Sequence, residues 1–219
     1  VFYDGPLIAS FANPLKPETR ERYLSTLSRV IAASQHHEIP LVGYVAGSSA
    51  TELVKMTRLL WREEFEDDRV IPDAHVLTEL MSPWGDTTVP FISKRDGSID
   101  ALQATYEGAS YEFRDDILFS YLNVPPGAGL DRIEFPGWLC RSDGPDGYES
   151  MYEYTIEIVR AEAGIGRGYP EILQQVDSDA VLDHQDRQQF YRVVQRWADS
   201  NDVPLEWNAK ALRQELRRR

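Results

Sequence analysis

Three carboxylates stand in this sequence where an acid is not expected on local grounds. Asp4 lies in Val-Phe-Tyr-Asp-Gly-Pro-Leu-Ile, a run that otherwise reads as a core strand. Burying an unpaired carboxylate is costly, so an acid inside such a run usually has a purpose. Glu52 follows the strand and turn of Gly43–Ser49 and falls in the first turn of a helix. Asp73 follows Pro72 at the start of another. Each also has a structural reading: a turn aspartate before Gly5, compensation of a helix dipole, an ordinary helix N-terminal residue. Taken together, acids delivered by a first strand and by later elements can converge on one or two Mg²⁺ or Mn²⁺ ions. Such ions polarise a phosphodiester and deprotonate an attacking water. The type of site expected is therefore metal-assisted hydrolysis on hard oxygen ligands.

Other chemistries find little support. The sequence has no G-x-x-x-x-G-K-[ST], no paired C-x-x-C, no H-E-x-x-H and no G-x-S-x-G. Gly164-Ile-Gly-Arg-Gly168 follows a helix, the wrong order for a dinucleotide fingerprint, and reads as a loop or C-cap. His36 and His37 are adjacent on a helix and read as surface residues, and His75 and His184 are isolated. The lone Cys140 borders an apolar strand and reads as core. A single cysteine suits a reducing compartment, so a cytoplasmic protein is expected.

The elements that must position these residues follow from hydrophobic spacing. Val1–Ala12 predicts strand, kink and strand around Gly5-Pro6. Pro17 to about His37 predicts a helix with Tyr23, Leu24, Leu27, Val30 and Ile31 on one face. Pro40–Val45 is a short buried strand, and Gly47-Ser-Ser49 turns and caps a helix from Ala50 to about Arg62. Glu63–Arg69 reads as a solvated loop and Pro72 as the start of a short helix. Strands are expected at Thr88–Ser93, Tyr111–Arg114, Ile117–Val124 and Arg132–Trp138. After a loop at Ser142–Gly147, helices are expected at Tyr148–Ala163, Pro170–Leu182 and Asp186–Ser200. An extended piece at Val203–Trp207 and a final basic helix follow. This is an α/β chain, read as a single domain over 1–219: mainly sheet with helices to 140, mainly helical from 148.

Composition sets further bounds. The 219 residues are 42% hydrophobic, enough for a sizeable core. No apolar run reaches membrane-spanning length, and the start does not resemble a signal peptide. The first residue is not Met, so an upstream segment is expected to be missing. The net charge of −13 argues at first against nucleic acid. Yet the basic residues are nearly all Arg, with Lys only at 16, 55, 94 and 210, and Arg is the better phosphate fork. The basic end, Arg217-Arg218-Arg219, reads either as a solvated helix end or as a contact for nucleic acid or a partner.

Beyond these local signals the chain resembles the NurA nucleases. The resemblance runs from Val-Phe-Tyr-Asp4-Gly-Pro through Leu41-Val-Gly-Tyr-Val45, the Glu52 helix and Asp73-Ala-His-Val-Leu. It continues through Phe119–Asn123 and Arg132-Ile-Glu-Phe-Pro-Gly-Trp138. It closes on Gly166-Arg-Gly-Tyr-Pro170, Asp179–Leu182 and Asp186–Phe190. The acidic, Lys-poor composition is similar to that of proteins from salt-loving archaea. What the resemblance implies is a ribonuclease-H-like fold and a manganese-dependent nuclease of DNA end resection. Such nucleases act as 5′-to-3′ exonucleases and single-strand endonucleases, as homodimers docked on the hexameric ATPase HerA. Carried over residue by residue, Asp4 matches the first metal carboxylate, and Glu52 and Asp73 the second and third. Tyr169 matches the motif tyrosine near the scissile phosphate. The family histidine eight positions on is replaced by Asp177, which the resemblance makes a fourth metal ligand or an acceptor for metal-bound water. Arg132, Glu134 and Trp138 also fit the pattern, although a strand alternating outward charge with inward apolar residues explains them equally well. Two other readings stand beside the nuclease: a non-catalytic dimeric adaptor for the ATPase, and a small-molecule metal hydrolase.

Overall fold

The computed structural model describes residues 1–61, 70–94, 102–124, 130–180 and 184–201. The expected loop at Glu63–Arg69, the extended piece at Val203–Trp207 and the basic end lie outside these. Two compact units emerge, residues 1–175 and 176–219, and each is described by itself.

The first unit is built on a five-stranded mixed sheet in the order β1-β2-β7-β6-β3. Its strands are β1 (Phe2–Asp4), β2 (Val42–Val45), β3 (Phe91–Ile92), β6 (Ile117–Asn123) and β7 (Leu130–Pro136). β1 runs parallel to β2 and all other pairs are antiparallel. β4 (Gln103–Tyr106) and β5 (Ala109–Glu112) form a separate hairpin. Its two-residue turn, Glu107-Gly108, holds φ values of 46° and 83°. Paired positive φ is what a tight hairpin requires.

Helices lie on both faces, as the α/β reading expects. On one face α4 (Trp138–Arg141) and α5 (Met151–Ile165) place Trp138, Leu139, Ile156, Val159 and Ala163 against Val42, Tyr44, Ile133 and Phe135. On the other, α1 (Pro17–His36) packs Leu24, Leu27 and Ile31 against Leu7, Ile8 and Ile117. Leu53 of α2 (Glu52–Trp61) and Leu77 of α3 (Asp73–Thr78) lie against Phe119 and Tyr121.

Two expectations need correction. The apolar run after Gly5 is not a second strand. Leu7, Ile8, Ala9 and Ala12 are fully buried, but in an irregular segment and a 3₁₀ turn (Ser10–Ala12). A fully buried run carries no periodicity to distinguish strand from loop. On β7, Arg132 and Glu134 do not point outward: every residue of that strand is buried. β7 is third of five strands with both faces covered, so its charges must pair internally.

Gly43 lets β1 approach closely. A Cβ there would meet the Gly5 carbonyl oxygen at 2.7 Å and the Leu7 side chain at 2.9 Å. Gly43→Ala is expected to cost about 1–3 kcal/mol by forcing the chain after Asp4 away from β2. Urea denaturation of the variant measures this directly.

The second unit contains the end of α6 (Glu171–Asp179) and α7 (His184–Ser200). Among the described residues, no helix is long and apolar enough to cross a membrane.

Candidate active site

Strand register puts Asp4 on the other side of the sheet from Arg132 and Tyr121, the strand residues that Glu52 and Asp73 bond. Asp4 lies beside Tyr44, and Tyr44 beside Ile133. Because side chains alternate along a strand, Asp4, Tyr44, Asp131 and Ile133 share one side of the sheet while Arg132 and Glu134 take the other.

On the first side, Asp4 ends β1 with an exposed carboxylate, and Tyr169 donates its hydroxyl to Asp4 Oδ1 at 3.0 Å. Tyr169 reaches this position because α5 ends just before it. The helix closes with Gly166 N–H on the Glu162 carbonyl and Gly168 N–H on the Ala163 carbonyl. Gly166 admits no Cβ, which would fall 1.9 Å from the Tyr169 carbonyl oxygen. Gln174 Nε2 then donates to the carbonyls of both Gly166 and Tyr169. The Gly-Tyr-Pro segment is thus a helix stop that aims one phenol at β1. The Tyr44 ring packs edge-on against the Tyr169 ring, with centroids 5.4 Å apart. The Tyr44 hydroxyl donates to Asp131 Oδ2 at 2.5 Å, and Gly47 N–H to Asp131 Oδ1 at 3.0 Å.

Asp131 is 1% exposed, and burial pushes its carboxyl above the usual range against the opposing pull of its two donors. A raised pKa in an acid means that the folded state holds the proton more tightly than the unfolded chain. Stability from this group is therefore fullest below the ordinary value of 3.8 and is lost as pH rises through the folded pKa. Asp131→Asn removes that dependence. Its melting temperature relative to the parent is expected to improve steadily across the acid range, and thermal scans at stepped pH test the sign.

On the second side, Glu52 opens α2. Its Oε1 accepts from the Ser93 hydroxyl at 2.5 Å and Lys94 N–H at 3.2 Å, and its Oε2 meets Arg132 Nη2 at 2.7 Å. Arg132 Nε donates to Glu134 Oε1 at 2.7 Å, and Ile8 N–H to Glu134 Oε2 at 3.0 Å. The Arg132 guanidinium lies 3.6 Å from the Phe119 ring centroid. Burial alone would lower its pKa, but Glu134 and Glu52 outweigh that and raise it.

Asp73 is fully buried. Its carboxylate accepts from Leu53 N–H, Val54 N–H and the Tyr121 hydroxyl at 3.1, 2.9 and 2.9 Å. The N-terminus of α2 is therefore capped by Asp73 of α3, while Ser48, expected to cap it, accepts Ala50 N–H before the helix begins. Asp73→Ala strands two amides and a phenol, at an expected cost of roughly 2–3 kcal/mol. Its urea midpoint is the check.

Glu52 also lines a groove of about 1040 Å³ with Ser48, Lys55, Phe91, Lys94 and Phe119. Asp177 is exposed near the end of α6, in the second unit. His36 and His37 bond to Tyr111 and Tyr106 of the hairpin at 2.9 and 3.2 Å. Cys140 is half-buried, and burial raises its thiol pKa, the opposite of what a nucleophile needs.

The fit to a metal is uneven. Among the described residues no group of three or more His, Cys, Asp or Glu is gathered to hold an ion. Asp4 is exposed and has one oxygen beyond its Tyr169 bond, a donor that suits a hard cation. Glu52 and Asp73 have both oxygens engaged.

The fold and site define an α/β protein with a strand-borne carboxylate facing a helix-stop tyrosine. The NurA domain family matches residues 1–182, and the chain belongs to that family. No curated protein and no solved structure matches it. That family is one of metal-dependent nucleases acting in DNA end resection.

Proposed function

We propose that this chain is a Mn²⁺- or Mg²⁺-dependent deoxyribonuclease. It digests 5′-to-3′ from ends, cuts single strands internally, and works as a homodimer with a HerA-type ATPase. The observation that carries the reading is the Tyr169–Asp4 hydrogen bond, which joins the Gly-Tyr-Pro segment to the first strand across 165 residues of sequence.

Asp4 would hold the ion, which supplies Lewis-acid polarisation of the phosphodiester and an activated water. Tyr169 donates its one hydroxyl proton to Asp4 Oδ1, which would hold the carboxylate in place and leave Oδ2 to the ion. The proposal keeps Glu52, Asp73 and Asp177 as further metal carboxylates, with Glu52 and Asp73 acting apart from the Asp4 ion because their strand partners lie on the other side of the sheet. For Glu52 this requires exchange of the Ser93 and Lys94 bonds on Oε1, and for Asp73 release of the α2 cap. Asp4 is accordingly the ligand on which the activity depends most. The ribonuclease-H-like classification belongs to the same proposal, supported by a mixed sheet covered on both faces.

Purified protein incubated with end-labelled single-stranded DNA and Mn²⁺ tests this. Cleavage that stops with chelator and returns with added Mn²⁺ is the expected result. The engaged state of Glu52 and Asp73 favours a second reading, a non-catalytic adaptor of the ATPase. Intact DNA at every metal concentration, together with binding to the ATPase, would establish that reading instead.

A further inference from the structure

Asp131 is a buried acid that the proposed chemistry leaves without a task. It is 1% exposed, at the start of the central strand β7, and burial opposes its charge. Nothing about the packing demands a carboxylate there. Its neighbours on the same sheet side, Ile133 and Phe135, are apolar and equally buried. Yet both of its oxygens are used, and each anchors something different.

Oδ2 accepts the hydroxyl of Tyr44, which is itself fully buried. That bond fixes the tilt of the Tyr44 ring, the surface against which Tyr169 packs edge-on. Tyr169 is the residue whose hydroxyl meets Asp4. Oδ1 accepts Gly47 N–H, in the turn that carries the chain from β2 towards α2 and Glu52.

We infer that Asp131 and Tyr44 are positioning residues, which hold the Tyr169 phenol against Asp4. The inference rests on the nuclease reading of the Asp4–Tyr169 pair and extends it. Two chemically different constraints act on Tyr169. Its backbone is fixed by the helix stop and Gln174, and its ring is fixed by the face that Asp131 sets through Tyr44. A tyrosine with its backbone held but its ring free can swing about its side-chain torsions. Displacement of roughly 1 Å at a reacting group can cost on the order of a hundredfold in rate.

The test reads Tyr169 directly and does not depend on activity. Protein labelled at the tyrosine ring carbon that bears the hydroxyl gives one carbon resonance per tyrosine, and Tyr169→Phe assigns the relevant one. Asp4→Ala defines its position when the hydrogen-bond acceptor is gone. Tyr44→Phe and Asp131→Asn are each expected to move the Tyr169 resonance at least halfway towards that position. An unmoved Tyr169 resonance in both variants, with the fold retained, overturns the inference.

In parallel, Tyr44→Phe should slow DNA cleavage about tenfold in the parent and less than about twofold in a Tyr169→Phe background. Effects that simply multiply would mean that Tyr44 acts elsewhere, and would also overturn it. Absence of cleavage by the parent protein would instead strike the nuclease reading, leaving the resonance shift to decide the positioning claim. Tyr44→Phe removes a single oxygen and serves if Asp131→Asn fails to fold.

Discussion

Asp4→Ala is expected to lower Mn²⁺-dependent cleavage of single-stranded DNA on the order of a hundredfold or more, while leaving the protein folded. The two halves of this prediction have separate causes. Asp4 is exposed at the end of β1, and its carboxylate accepts the Tyr169 hydroxyl alone among the described residues. Its removal takes one exposed hydrogen bond from that phenol, so the melting temperature should move by less than about 2 °C. The rate, by contrast, loses a ligand with an oxygen open to a cation, where Glu52 and Asp73 have both oxygens engaged. Endpoint gels miss such a loss when enzyme is in excess, so initial rates on a fluorescent oligonucleotide are the measurement. Equal rates for Asp4→Ala and the parent would remove Asp4 from the chemistry.

The second large effect is on stability. Arg132→Met is expected to destabilise the fold by about 3–5 kcal/mol, near 10 °C in melting temperature. Arg132 is the cation between two carboxylates inside the sheet, 0% exposed, with Glu134 also at 0%. Methionine fills much of the space against Phe119 but leaves Glu134 and Glu52 facing each other without a counter-charge. A buried carboxylate so stranded must take a proton or admit water, and either is costly. The loss is not simply a missing contact, because the wild-type arrangement already leaves Nη1 buried without a hydrogen-bond partner among the described residues. Adding Glu134→Gln to Arg132→Met should recover part of the loss, since one stranded charge is removed. Urea unfolding of both variants, read at constant m-value, separates this from a change in the denatured state. A double variant less stable than Arg132→Met alone would refute the charge argument.

Much of this architecture was legible in the sequence, and the failures have identifiable causes. α1 begins at Pro17 as expected, because proline presets φ at the first helical position and Tyr23, Leu24, Leu27 and Ile31 repeat at helical spacing, although Val30, expected with them, is exposed. α5 begins at Met151 and not at Tyr148, since Ser150 accepts the Glu153 N–H and caps the helix there. β4 was missed: Gln103–Tyr106 is short and half-exposed, and its turn is Glu-Gly, without the Asn or Asp that usually marks such turns.

β7 was located, but one of the two readings of its charges, that they face outward, does not hold. The pattern Asp131-Arg-Ile-Glu-Phe is the same whether one face of a strand meets water or both faces are covered. Only the packing of α2 and α3 on the second face decides that Arg132 and Glu134 pair inside. Asp131 escaped notice for the same reason. The Asp4–Tyr169 contact spans nearly the whole chain, so no local spacing could reveal it. Family resemblance named the two residues separately, and the structure supplied their contact and its physical reason, the helix stop at Gly166–Gly168. The grouping of Asp4 with Glu52 and Asp73 came from residue type and order alone. Strand register shows that Asp4 projects from the opposite side of the sheet to the partners of Glu52 and Asp73.

The central claim is that the Asp4 carboxylate, held by Tyr169, is where a divalent cation binds. A crystal of the protein soaked in Mn²⁺ and measured at the manganese absorption edge tests it most directly. The account predicts an anomalous peak within coordination distance of an Asp4 oxygen and absent from Asp4→Ala crystals grown the same way. Manganese bound only at other surface acids, with Asp4 still bonded to Tyr169 and nothing else, would contradict it.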